Sequence, residues 1–316
     1  MFLAAAAAVP VGLSPAPALA RLLGGTPLAL VTADLESAVV AVDLSSGRVQ
    51  RRLATPADPR SVESVGGTRA LVAHLAPGRL TLIGNDLRVR GIRGLLEEPR
   101  YAAAASGRWA YVTDSGRGEL AVVDLRERVV VRRLKVGGAP RHLSLSRGQP
   151  PRLWVVLGNR AREVAVVDAS RPDRPRVVDR VLPPFLAHDV GHEPGGARVW
   201  ITSGDRRGLA VYGDRPPRLL RTLSAGAPPQ HVAFLGGRAY VASGDDGVVR
   251  VHRTADGSIV GTVRVPIGSH NVQEGWGVVL NHSLELGTLT VLRAGRVLRR
   301  LEVAHSSHDA ALLMVP

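Results

Sequence analysis

Between Pro99 and Val136 the chain alternates short apolar runs with clusters of Gly, Asp and Ser. Tyr101–Ala105 gives way to a Ser106-Gly107 turn, and Arg108–Thr113 to a turn over Asp114–Gly118. Glu119–Leu125 ends in a polar break at Arg126-Glu127, before the Val- and Arg-rich run Val129–Val136. Runs this short, rich in β-branched and aromatic residues and bounded by turn formers, predict strands rather than helices. The stretch therefore reads as four strands in succession.

The pattern recurs with a period of roughly forty residues, the length of a propeller blade. The second strand returns at Leu28–Asp34, Arg69–His74, Arg152–Gly158, Ala197–Asp205, Arg238–Asp245 and Trp276–His282, which with Arg108–Thr113 makes seven copies. The third returns at Ala38–Leu44, Gly78–Gly84, Glu163–Ala169, Gly208–Gly213, Gly247–His252 and Gly287–Arg293. The fourth returns at Arg48–Ala54, Arg176–Leu182, Arg218–Ser224, Ser258–Val265 and Arg296–Val303, with only a weak counterpart in the second copy at Arg88–Arg93. This predicts an all-β, seven-bladed β-propeller with four antiparallel strands per blade. The repeat begins on a second strand and ends on His308–Val315, which has the character of a first strand. The C-terminal strand is thus expected to join blade one and close the ring, leaving no open edge.

Residues 108–125, RWAYVTDSGRGELAVVDL, closely resemble the YVTN-type β-propeller repeat, in which a Tyr-Val-Thr-like strand precedes a Gly-bounded strand ending in Val-Asp. The resemblance runs over about residues 27–316, best in blades one, three and six and degenerate in two and seven. It implies a bacterial or archaeal, mostly exported propeller, and it specifies fold far better than activity.

Residues 1–20 stand outside the repeat. Phe2–Leu13 is apolar and Ala-rich, and Pro15–Ala20 ends in a small-x-small pattern, so the segment reads as a signal peptide cleaved after Ala20, although a basic n-region is missing. The expected mature chain is one propeller domain over 21–316, extracytoplasmic, either secreted or held in the cell envelope. No other run approaches the ~18 apolar residues of a membrane span. The absence of cysteine excludes disulfides and thiolate chemistry. With aromatics at only 3 %, Val, Leu and Ala must fill the spaces between blades.

The net charge of +14 is carried by arginine, Lys135 being the single lysine. Much of it falls on fourth strands, at Arg51-Arg52, Arg132-Arg133, Arg218, Arg221 and Arg299-Arg300. On an outer edge such charge discourages edge-to-edge pairing. It would also suit an anionic envelope surface. Nucleic acid is disfavoured as a partner, because no aromatic stripe interleaves the arginines.

Histidine carries the chemical signal. Aligned at the start of the innermost strands, one repeat position reads Ser61, Tyr101, His142, His188, His231, His270 and His308. His74 and His282, in turns after second strands, and His305, just before the last strand, map to the same face, whereas His192 and His252 map to the opposite one. Imidazole suits Cu, Zn and Fe, so His188, His231, His270 and His308, on four consecutive blades, form the candidate set for a transition metal. His142, Tyr101, Ser61, Glu63, His74, His282 and His305 are the candidate ligand-binding residues around it. The competing reading has each imidazole bonded to a neighbouring blade's backbone. Strand alternation turns Asp189 and Asp309 away from their adjacent histidines, toward the next blade or a turn.

No G-x-S-x-G elbow and no phosphate loop with Gly-Lys-Ser/Thr occurs. The function expected is that of an exported binding or scaffold module, with a small molecule, a metal or an envelope protein at the axial face. The alternatives are a metal-dependent protein or enzyme using the histidine ring, and a lactonase- or lyase-like propeller hydrolase.

Overall fold

The computed structural model describes residues 24–316; the expected leader, Met1–Ala20, lies outside the described residues. Seven four-stranded antiparallel sheets are arranged as blades, and the only helical element among the described residues is one 3-10 turn at Asp34–Glu36. Blade three comprises Pro99–Ala104, Trp109–Asp114, Glu119–Asp124 and Val129–Lys135, within a few residues of the bounds expected from its turns. The innermost strands of blades one to seven are Ala310–Val315, Pro59–Val65, Pro99–Ala104, Leu143–Leu145, Ala187–His192, Val232–Leu235 and Asn271–Gly275. No helix among the described residues is long and apolar enough to cross a membrane.

Ring closure occurs where the sequence placed it. Ala310–Val315 pairs antiparallel with Thr26–Val31, so the last strand becomes the first strand of blade one. The second blade keeps its weak fourth strand as the short Val89–Ile92. In each of the other six blades the register between third and fourth strands shifts by one residue, as between Val122 and Val123 in blade three. Such bulges bend the outer strand and raise its twist; blade two has none.

Alternation along the strands divides the core among the blades. Leu28 and Leu30 pack toward Val62, Val72 and Ile83 of blade two, while Ala29 and Val31 pack toward Leu280, Leu289 and Val291 of blade seven. The buried apolar side chains form seven clusters, one in each blade–blade interface. Aliphatic residues of moderate size fill these wedge-shaped spaces, as the composition required.

Fourth strands are mostly exposed, but their arginines do more than carry charge. Arg52, Arg133 and Arg180 each reach back and donate to a carbonyl of the preceding blade, Val303, Leu95 and Val136, at 2.7, 2.7 and 2.8 Å. These bonds satisfy backbone acceptors where each outer strand ends.

Candidate metal centre

The ring position sits where each innermost strand begins, and there the ladder is irregular. His142, His231 and His270 immediately precede their strands, and His308 lies two residues ahead of its own. Tyr101 and His188 fall inside register shifts, and Ser61 adjoins one. A side chain released from the regular pleat in this way can be re-aimed toward the axis.

Threonines of the second strands set the height of this entry point. Thr202 Oγ1 accepts the Asp189 N–H at 3.0 Å and donates to the Gln230 carbonyl at 2.6 Å, pinning the residue just before His231. Thr113 Oγ1 likewise accepts the Tyr101 N–H and donates to the Arg141 carbonyl, just before His142, at 3.1 and 2.7 Å. The Thr of the Tyr-Val-Thr-like strand is therefore a clamp between blades three and four, and again between five and six.

His142, His188 and His231 converge. One ring nitrogen from each lies within 4.8 Å of the others, somewhat wider than the roughly 3.3 Å that separates ligand nitrogens around a tetrahedral ion with bonds of about 2.0–2.1 Å. Ring centroids are 4.8 Å apart for His142 and His188, 4.5 Å for His142 and His231, and 5.6 Å for His188 and His231. Tyr101 packs on the group, 4.3 Å from the His142 ring.

Hydrogen bonds fix the tautomers. His142 Nδ1 faces the His188 carbonyl, and His188 Nδ1 faces the Asn159 carbonyl at 3.1 Å. A carbonyl only accepts, so Nδ1 carries the proton in both rings and Nε2 presents its lone pair. His142 Nε2 is buried with no partner among the described residues. His231 Nδ1 stands 3.5 Å from the Asp189 carboxyl, the carboxylate–histidine relation that raises ligand basicity at metal sites.

Burial keeps these rings neutral. It pushes His188 down to about 4, and it holds His142 and His231 well below the usual imidazole range, with the neighbouring histidines adding to the effect. Metal ligation requires neutral imidazole, and the site is already in that state at neutral pH. Burial also raises Asp189 to about 7 and Asp309 to about 8.

The three rings line one wall of a cavity of about 220 Å³ at the axis, which Tyr101, His270, His282 and His308 also line. His188 and His231, from the expected metal set, thus meet His142. His270 and His308 face the same cavity without joining the close group. His270 is held against Gly244, with Nδ1 3.9 Å from the Asp245 carboxylate, so it leans toward the outer turn of blade six. His282 donates from Nδ1 to the Ser307 carbonyl at 2.9 Å.

The remaining candidates lie apart. Ser61 is buried but does not line the cavity. His74 is buried and bonds Thr81 Oγ1 at 2.8 Å. Glu63 accepts the Ala104 N–H of blade three and is raised by burial to about 7. His305 is exposed beside Glu36. Asp189 and Asp309 do bond the next blade, accepting the Val232 and Val62 N–H groups at 3.1 and 3.0 Å. Sequence reasoning passed over Arg141 and Gln230, both in the cavity lining. A signal for Arg141 existed, since Pro-Arg precedes the ring position in blades two, three and four.

No protein-family model matches the chain, and no curated protein does. Solved structures do. A protein of unknown function from Desulfotomaculum acetoxidans superposes with a TM-score of 0.79 at 10 % identity, over 92 % of this chain and 99 % of that one. A protein from Lactobacillus plantarum gives 0.74 at 12 % identity, over 92 % and 99 %. The apo form of AztD from Citrobacter koseri gives 0.68 at 11 % identity, over 92 % and 98 %. At such identities the likeness is one of fold: this is a seven-bladed β-propeller, an architecture suited to a binding or scaffold module, and it carries a histidine triad.

Proposed function

We propose that the protein is an exported binding module of the cell envelope, related to the YVTN-type propellers, whose axial face takes up a transition-metal ion through His142, His188 and His231. The observation that carries this reading is the triad itself. Three neutral imidazoles from consecutive blades bring ring nitrogens within 4.8 Å of one another, and in two of them a backbone carbonyl turns Nε2 free. Bonding to a neighbour's backbone and binding a metal are therefore compatible, since each uses a different nitrogen of the same ring. Three histidines with an open fourth position suit Zn, and imidazole equally suits Cu and Fe. A hydrolase reading would need an acid–base pair facing the cavity. Asp189 and Asp309 accept peptide N–H groups of the next blade from behind the rings and do not line the cavity, and Asp245 comes no closer to His270 than 3.9 Å.

The test is metal content and calorimetric titration of protein purified without a histidine tag. Zn²⁺ should bind with a stoichiometry of about one per chain, as three ligands around one ion require. His188→Ala and His231→Ala should each abolish that binding while the protein melts as before. Failure of the unmodified protein to retain or bind Zn²⁺, Cu²⁺ or Fe²⁺ would remove the proposal.

A further inference from the structure

The wall around the triad has an unusual balance of charge. No carboxylate lines the axial cavity, and Arg141 is the one permanently charged residue among its lining side chains. Arg141 makes no ion pair among the described residues, and its Nε is buried without a hydrogen-bond partner. Arg60, the matching residue of blade two, is likewise without an ion pair, its Nε also buried and unpartnered. Both lie close enough to act on the Tyr101 phenol, which packs on the triad. Arg141 and Arg60 also disfavour a proton on His308.

A divalent ion held by three neutral imidazoles keeps its full charge, and here a guanidinium stands beside it. The carboxyls behind the rings are occupied by peptide N–H groups and do not reach the cavity. Low-dielectric surroundings make an uncompensated charge of this kind costly. A second groove, of about 550 Å³, shares His188 and Gln230 with the cavity and is lined by three guanidiniums, Arg160, Arg206 and Arg207, against two carboxylates, Asp205 and Asp245. Arg206 pairs with Asp205, while Arg160 and Arg207 have no ion pair among the described residues. The approach to the metal thus carries a small excess of positive charge, with Arg160 and Arg207 free of ion pairs among the described residues, which favours an anion over a cation on the way in.

We propose that the axial site holds its metal together with a small oxyanion, a carboxylate or a phosphate, which takes the open coordination position and is received by Arg141. This rests on the metal-binding reading above and adds its second ligand. The guanidinium fork matches the planar or tetrahedral oxygens of either anion. Two ligands that stabilise one another at adjoining positions must do so reciprocally. The anion should therefore tighten the metal, and the metal the anion.

Co²⁺ is the probe, because its visible bands report the ligand set directly. Full-length protein is titrated with Co²⁺ in a non-coordinating buffer, then again with acetate or with methyl phosphate present. Either anion should shift the bands and tighten Co²⁺ by about tenfold, the scale of coupling between two such ligands. Whichever anion gives the larger gain identifies the source of the oxyanion. In Arg141→Met the gain should vanish, and Co²⁺ binding without anion should become tighter as the repulsion is removed. Arg141→Lys keeps a charge and should retain part of the gain, and circular dichroism of both variants verifies folding. Co²⁺ binding with bands and affinity indifferent to both anions overturns the inference while leaving the metal site standing. An equal gain in Arg141→Met overturns it as well. No Co²⁺ binding under any condition overturns the metal reading and this inference with it.

Discussion

At His231 one neighbour positions both the ring and the backbone. Asp189 accepts the N–H of Val232, the residue after His231, and places its carboxyl 3.5 Å from His231 Nδ1. Asp309 repeats half of this arrangement, accepting the N–H of Val62 after Ser61 and a bond from Asn271 Nδ2 at 2.8 Å. With Ser61 at the ring position, the imidazole beside Asp309 is instead that of His282, whose Nε2 lies 3.9 Å from the carboxyl. Asp189 therefore separates two roles that one side chain performs. Asp189→Asn keeps an oxygen for the Val232 N–H and loses the carboxylate facing the ring. It should lower metal affinity by about 10–100-fold, the usual cost of losing an outer-shell carboxylate, with little change in melting temperature. Calorimetric titration of the variant decides the matter: unchanged affinity would mean that Asp189 serves the blade interface alone.

At the scale of the strand, Thr202 and the C-terminal segment show how local pattern becomes ring geometry. Thr202→Val preserves shape but leaves the Asp189 N–H and the Gln230 carbonyl without their shared partner. Chemical denaturation should show a loss of about 1–3 kcal/mol, the cost of unsatisfied buried groups, with weaker metal binding because the entry to His231 is no longer pinned. Removing residues 308–316 strips Leu312, Leu313 and Val315 from two interfaces. At about 1.5–3 kcal/mol for each large apolar side chain, the loss approaches the roughly 5–15 kcal/mol that holds a typical domain together. The truncated chain should unfold without a cooperative transition, and a melt like that of the full chain would mean closure is made elsewhere. The strands were legible because turn formers bracket each run, and closure was legible because the repeat starts one strand late. The shared face of His142, His188 and His231 was legible from repeat position alone. Which of the ring histidines meet was not, because that depends on contacts far apart in sequence, such as the carbonyl of Asn159 that orients His188 and the Gly244 turn that holds His270. Arg141 was hidden for a different reason: the Pro-Arg repeat marks its place beside the ring position, but among so many arginines nothing in the sequence shows that this guanidinium is half-buried at the axis and without an ion pair among the described residues.

For the whole molecule, the buried titratable groups fix how stability depends on pH. Burial pushes His74, His188 and His282 down from 6.5 to about 4, and His142, His231 and His308 well below 6.5. Below 6.5 the unfolded chain takes up protons that the folded chain refuses, so these groups make stability rise with pH from about 4 to 6.5. The buried carboxyls act the other way. Glu63 and Asp189 are raised to about 7 and Asp309 to about 8, so their stabilising protonation is complete at low pH and is lost as pH climbs through those values. Between about 4 and 6.5 the histidines outnumber the carboxyls and the net slope is upward. Above 6.5 the histidines are neutral in both states, and only the carboxyls still respond. Metal-free protein should therefore melt highest near pH 6.5 and lose stability on both sides, as scanning calorimetry in the presence of a chelator would show. A melting temperature that stays flat from about pH 7 to 8.5 would mean that Asp189 and Asp309 are already ionised in the folded ring, so that negative charge stands directly behind the histidines.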